Sequence, residues 1–533
     1  MLPSPSMSRP TSCTAYASCL VAAAAAVASA ADPVPINVGA RRQLFVDRHI
    51  IERLEGEAGL VLHHPQPQEI VLRCDQPWER SGPGYPTVFR DGERYRLYYR
   101  VSAGQVDDGD QRQYTCYAES VDGITWEKPR LGLVEIDGSK DNNVIWTGAI
   151  AHNFSPFLDE NPAAHATERY KAVGGVGMKW GDGFWLLVSP DGIRWRKRDD
   201  TPLALEGRFD SHNLLFWDAE ARLYRMYWRD HRRDDGRQPG GRDVRTATSP
   251  DCRNWTASQW LVYEPARSGS AERDESDPSG DHHQFYTSGI QAYPRSPGLL
   301  LGFPQRYSDR GWTRSTDQLP DRDVRSARAD PSRNGGRPTR WGTAITDVLF
   351  MTSHGGGQFF VWPEAFIRPG IQRPGSWYYG GAWYAWGLVE TAPQFAGAPP
   401  ELSLYVQEGD KPSRMDDARG ALRRHTLRLD GFASVHAPLT GGTLVSRPIV
   451  FSGETLEINF ATSAGGRVRI GLDDASGEPI AGRSLRDCDL LYGDQIDRVV
   501  SWGGDEHLGR LTGRPVRLTV ELKDADLYAL RFK

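Results

Sequence analysis

The 533-residue sequence is poor in cysteine: Cys13, Cys19, Cys74, Cys116, Cys252 and Cys488 are all it has. None stands in the paired spacing of a zinc site, and their scatter excludes a disulfide-framed fold. Surplus positive charge is missing too. Lys and Arg number 64 against 69 Asp and Glu, a net charge of −5, so nucleic acid and anionic membrane surfaces are set aside as partners. No apolar run reaches the roughly 20 residues a membrane-spanning helix needs. The leading run, residues 16–27, follows a lone Arg9 and precedes Ala28-Ser29-Ala30, the small-x-small pattern of a cleaved export signal. Residues 1–30 are therefore expected to be a signal peptide and the mature chain, from Ala31, to be secreted or periplasmic.

What is abundant is Trp (17) and Gly (56), and their placement is repetitive. SVDGITW (120–126) returns as SPDGIRW (189–195), as SPDCRNW (249–255) and in worn form as SHGGGQF (353–359). Each copy has a short side-chain oxygen before a turn, a pair that tolerates positive φ, and an aromatic just beyond. That chemistry closes a hairpin and sets a ring between neighbouring sheets. Before each copy lies an inner hairpin, in residues 85–100, 154–173 and 212–229, where an apolar run meets a turn acid (Asp91, Asp159, Asp218) and the next run opens with Tyr and a basic residue. Four strands per unit is the content of a propeller blade. A fourth unit starts at Tyr286. A fifth is drawn from residues 385–391, 401–409, 423–429 and 432–437. The expected fold is all-β: a five-bladed β-propeller with an N-terminal extension over 31–437, then a β-sandwich over 438–533, where alternating strands lack the blade pattern.

Two stretches interrupt the repeat. Residues 263–281 read as a solvated loop. Residues 308–340 carry many arginines and read as an exposed insertion, the sharper alternative being a lid whose guanidiniums meet carboxylate or sulfate groups.

Strand openings of a propeller line its central funnel. They hold Tyr85, Asn153, Asp210, His212 and Asn213, then Asp281, His282 and His283, then Trp377, Tyr378 and Tyr379. Aromatic faces beside amides, imidazoles and a carboxylate suit a sugar, so Tyr85, Asn153, His212, His282, Trp377 and Tyr378 are the candidate substrate contacts. No cofactor or metal is expected: adjacent His282 and His283 point to opposite faces of a strand, and Asp487, Asp489, Asp494 and Asp497 suit turns better than calcium.

The blade pattern and the appended sandwich resemble the five-bladed glycosidases of glycoside hydrolase families 32, 43 and 68. More closely, LFVDRHII, LRCDQPWE, AESVDGITWEKP, EAFIRPG and DRVVSW…ELKDADLYALRF resemble secreted bacterial proteins labelled family-32-like. The resemblance implies three funnel carboxylates. SGPGYP (81–86) stands where the family has its nucleophile and Asn153 where it has its second aspartate, while DSHNL places Asp210 at the acid position. A glycosidase needs two carboxyls across the bond. Asp47 is the favoured partner of Asp210, with Glu79 and Glu364 behind it; pairing of Asp47 with Arg41, Arg42 or Arg48 is the structural alternative. The function expected is a secreted glycoside hydrolase-like activity on an oligo- or polysaccharide, with Asp210 as general acid and Asp47 as base or nucleophile. A non-catalytic carbohydrate-binding propeller is the alternative. A sialidase-like enzyme is a third reading, which requires an arginine triad beside a Tyr–Glu pair.

Overall fold

The computed structural model describes residues 34–102, 113–177, 183–232, 241–265, 284–333, 336, 338–409 and 420–533. The expected signal peptide and the 281–283 cluster lie outside the described residues. What is described is almost entirely β-structure, divided among many small sheets. No helix among the described residues is long and apolar enough to cross a membrane.

Three four-stranded antiparallel sheets follow one another. The first is Gly84–Asp91, Arg94–Ser102, Gln113–Ser120 and Val144–Thr147. The second is Ser155–Leu158, Tyr170–Gly177, Gly183–Ser189 and Arg196–Lys197. The third is Leu214–Asp218, Leu223–Arg232, Gly241–Ser249 and Gln259–Trp260. Their shared geometry follows from the repeated turn. Ser120 Oγ accepts from Gly123 N at 2.9 Å, and Asp122 Oδ1 accepts from Ile124 N and Thr125 N, both at 2.7 Å. Ser189 and Asp191 repeat this pattern with Gly192, Ile193 and Arg194. In the third copy Cys252 takes the positive φ (58°) that Gly123 and Gly192 take elsewhere.

The turn acids tie sheet to sheet, which explains the Tyr-basic pair. The basic residue binds the acid of its own hairpin: Arg96 to Asp91, Lys171 to Asp159, Arg225 to Asp218. The tyrosine binds the acid of the preceding sheet: Tyr170 Oη to Asp91 at 2.6 Å, and Tyr224 Oη to Asp159 at 2.7 Å.

The fourth group of strands is split into two ladders. Gln305–Asp309 pairs with Gln284–Phe285 and Ala344–Val348, while Leu300–Gly302 pairs with Gln291–Ala292 and Met351–Ser353. Tyr227 Oη reaches this group at Gly356 O. Between Gln305–Asp309 and Ala344–Val348 the Arg-rich stretch forms three short helices, α1 (Arg314–Asp317), α2 (Arg322–Ala329) and α3 (Arg340–Thr343). It is not the wholly exposed excursion expected: Arg325 is buried, donating to Gly342 O and Trp377 O and lying over the Tyr378 ring.

The fifth sheet differs from expectation in its last member. Glu401–Glu408 and Ala421–Arg428 pair as anticipated, but the outer strand is Gln66–Arg73, from far upstream. This sheet bonds back to the first through Tyr405 Oη to Gly123 O (2.6 Å) and Tyr95 Oη to Glu390 O (2.7 Å). Because Trp126 Nε1 also donates to Gly123 O, that carbonyl keeps one partner without Tyr405. Tyr405→Phe is therefore expected to cost only about 1 kcal/mol, read as a lower urea midpoint with unchanged slope.

The segment 432–437, drawn into the fifth unit from sequence, instead joins a ten-stranded sheet built from both ends of the chain. Its central strand, Val516–Phe532, pairs with Gln43–Leu44, Ala433–Ala437, Gly442–Ser446, Ile449–Phe451 and Leu456–Asp474. Ile36–Gly39, Ile51–Gly56 and Gly59–Leu62 attach to these partners. The expected partition at residue 438 does not follow these pairings: strands before residue 63, assigned above to a propeller extension, share the apolar core of the C-terminal strands, with Val38, Phe45 and Ile51 packed beside Leu444, Leu518 and Phe532.

Candidate functional site

Asp210 stands in the loop that opens the third sheet, and neighbouring amides fix that loop. Asn153 Nδ2 donates to Phe209 O at 2.5 Å, Asn213 Nδ2 donates to the same carbonyl at 2.7 Å, and Ser211 N also turns back onto it. The Asp210 side chain, one-third exposed, is met by His152 Nε2 at 3.1 Å and Arg229 Nη2 at 3.2 Å. Burial alone would raise its pKa. The bond to His152 and the charge of Arg229 outweigh burial and hold the carboxyl well below the usual range. An acid so held is ionised at neutral pH. A general acid must keep its proton, so this setting suits a nucleophile, base or charged anchor better than the general-acid role expected for Asp210.

An aromatic wall faces this carboxylate. Tyr85 stacks on Trp383 at 4.7 Å and lies 5.9 Å from His152 and 5.6 Å from His212. Tyr286 continues the wall, 5.5 Å from Trp383 and 6.0 Å from Tyr379. Tyr85 adopts φ 46°, an uncommon conformation for a bulky residue, which persists only where packing over-determines it. Burial and the nearby Asp210 charge raise its phenol, so it stays neutral. Arg100 lies over the Tyr85 ring at 4.9 Å, and a Cβ at Gly84 would come within 2.8 Å of its guanidinium. The glycine is what lets Arg100 settle there.

The other expected residues distribute unevenly. His212 is in the wall: buried, its pKa lowered by burial to about 3, its Nε2 3.2 Å from Thr87 Oγ1. Asn153 is not a substrate contact, since its amide is consumed internally by Gly175 and Phe209; it positions the Asp210 loop. Trp377 and Tyr378 line a separate open crevice with Arg373, Glu408 and His425, a lining that does not include Asp210. Tyr378 donates to Asp321. Only the next residue, Tyr379, turns toward Tyr286 and the α3 residue Trp341. His282 lies outside the described residues.

None of the three expected partner carboxylates is bonded at the Asp210 site. Asp47 is buried and accepts from Thr352 Oγ1 (2.7 Å), His354 Nε2 (3.1 Å) and His49 N (2.8 Å). His354 belongs to the 353–359 hairpin, where Gly355 O and Gly356 O receive Arg225 and Tyr227 at the turn end of Leu223–Arg232. Asp210 binds Arg229 toward the opposite end, roughly 13 Å further along at the rise of an extended strand. The two acids therefore sit at opposite ends of the sheets. Glu79, fully buried, accepts from Lys128 Nζ (2.7 Å), Tyr99 Oη (2.5 Å) and the amides of Asp75 and Gln76. It braces the entry to the first sheet. Glu364 is exposed in a connection.

Sequence reasoning overlooked Arg100, His152, Arg229, Arg242, Tyr286 and Trp383. A signal existed for two of them: YRLYYR and YRMYWR end in Arg100 and Arg229 at equivalent positions of the first and third sheets. No protein-family model matches the chain, and no curated protein matches it. Among solved structures it is similar to one described as a glycoside hydrolase (14% identity, 68% of this chain and 92% of the other, TM-score 0.39). It is also similar to a family 43 arabinoxylan arabinofuranohydrolase from Bacillus subtilis (13%, 85% and 96%, 0.37). A third is the catalytic domain of a family 62 α-L-arabinofuranosidase from Coprinopsis cinerea (10%, 69% and 99%, 0.39).

Proposed function

We propose that this chain is an exported, glycoside hydrolase-like protein, a five-bladed β-propeller with a β-sandwich, that takes carbohydrate into the propeller mouth and cleaves a glycosidic bond using Asp210 as the ionised carboxylate. The observation that carries the reading is Asp210 itself: a carboxylate kept charged by His152 and Arg229 in front of an aromatic wall. Tyr85, Tyr286 and Trp383 offer faces on which sugar C–H groups stack. The bonds that run from each sheet to the next, and from the fifth to the first, support the blade count.

One observation favours the second reading, a propeller that binds carbohydrate without cleaving it. Among the described residues Asp210 is the only acid paired with the arginines of this wall, whereas hydrolysis takes two carboxyls about 5–5.5 Å apart for retention or about 6.5–9.5 Å for inversion. The sialidase-like reading is weaker still, because no glutamate is bonded to Tyr85 or Tyr286 among the described residues.

Incubating the purified chain from Ala31 with aryl-glycosides and with plant and algal polysaccharides tests both. Release of reducing sugar is the expected result. Binding without release transfers the site to the second reading, and neither binding nor release removes carbohydrate altogether.

A further inference from the structure

The wall around Asp210 holds more positive than negative charge. Arg229 is paired with Asp210, but Arg100 and Arg242 have no carboxylate within 4 Å among the described residues. Arg100 Nη1 reaches only His152, at 3.1 Å from the ring and 3.2 Å from the carbonyl oxygen. Arg242 is 9% exposed; its Nη1 donates to Gln284 Oε1 at 2.9 Å, and its buried Nε has no hydrogen-bond partner among the described residues. Arg229 and Arg242 lie 5.0 and 5.4 Å from the centre of one ring, Tyr286. Stacking on aromatics offsets part of the desolvation of a guanidinium. It leaves like charges sharing a wall with a single counter-charge among the described residues, an arrangement that is costly away from water. His231 responds to the same field: burial, then Arg229, Arg242 and Arg208, lower its pKa to about 4, so it stays neutral beside them.

We infer that the site takes an anionic glycan, one whose sugar residues carry a carboxylate or a sulfate, and that Arg100 and Arg242 receive those groups while Asp210 faces the uncharged part of the ring. The inference rests on the carbohydrate reading of the same site. A planar guanidinium with free N–H groups matches either anion through paired hydrogen bonds. A neutral sugar brings no counter-charge to either arginine, and none comes from the described residues, so discrimination arises from that surplus of positive charge.

The test is titration of the purified chain with trigalacturonate, a sulfated galactan trisaccharide and galactotriose, following tryptophan fluorescence. At least one anionic glycan is expected to bind about tenfold or more tighter than galactotriose at low salt, with the preference shrinking as salt screens the charges. Which of the two binds identifies the anion. Arg100→Gln and Arg242→Gln are each expected to remove that preference while leaving galactotriose binding within about twofold. Half-buried Arg100 supplies the readout if the Arg242 variant does not fold. Galactotriose binding as tightly as both anions overturns the inference and leaves the carbohydrate reading standing. Binding of none of the three overturns both.

Discussion

Asp210→Asn is expected to lower the rate on a cleaved glycan by about 100-fold or more, the range of a lost catalytic carboxylate. Asn preserves the shape and still accepts a hydrogen bond from His152 or Arg229, so what is lost is charge at the reacting centre. The accompanying loss of stability is expected to be modest, about 1–2 kcal/mol, because the carboxylate is one-third exposed and its pairing is partly screened. Its folded pKa is depressed, so its contribution to stability is present above the usual carboxylate pKa near ~4 and vanishes as pH falls through the folded value. Glu79→Gln supplies the contrast. Glu79 is wholly enclosed and accepts from Lys128, Tyr99 and two backbone amides, while Lys128 keeps Asp75 at 2.9 Å, so that change weakens bonds to a buried charge without stranding the ammonium and is expected to cost about 2–3 kcal/mol with little effect on rate. Rates and urea midpoints measured side by side separate the two residues. An Asp210→Asn variant retaining more than about a third of the wild-type rate would remove Asp210 from the chemistry.

Acid is expected to destabilise the fold well above the pH at which carboxylates titrate. Burial holds His212 down to about 3 and His425 to about 4, while both titrate near 6.5 when unfolded. Between these values the unfolded chain binds more protons than the folded one. Stability is therefore full above about pH 6.5 and declines as pH falls. At pH 5 each histidine is about 1.5 pH units below its unfolded pKa, a loss of about 2 kcal/mol apiece and about 4 together. The depressed carboxylates add nothing in this window, since they are ionised in both states. His49 and His231, also held to about 4, add to the same decline; urea unfolding at pH 7 and pH 5 measures the difference, and His212→Gln should remove about 2 kcal/mol of it. Equal midpoints at the two pH values would mean that these imidazoles are not buried as described.

What the sequence revealed and what it hid divide by the distance over which each residue finds its partners. The outer turns were legible because their chemistry is local: Ser120 and Asp122 bond to amides within three residues. The turn acids and their basic neighbours were legible for the same reason. The outer strand of the fifth sheet was not, because Gln66–Arg73 meets Ala421–Arg428 some 350 positions away and no periodicity registers that pairing. Asp47 and Asn153 were misassigned through the same blindness. An acid among apolar neighbours and an amide at a strand opening read as site residues, whereas Thr352, His354, Gly175 and Phe209 had already engaged them. Asp210 was singled out because its loop opens a repeated hairpin. Its ionised state depends on Arg229 and His152, which a sequence pattern does not bring together.

The strand Val516–Phe532 has a consequence for how the protein is made. During synthesis the segments 36–62 emerge some 450 residues ahead of the central partner that unites their sheet. The early strands accordingly wait for their core while the intervening sheets are made, and sequence-distant pairings of this kind are slow to form. A chain assembled in this order keeps its earliest strands pliable until residues 516–532 have left the ribosome.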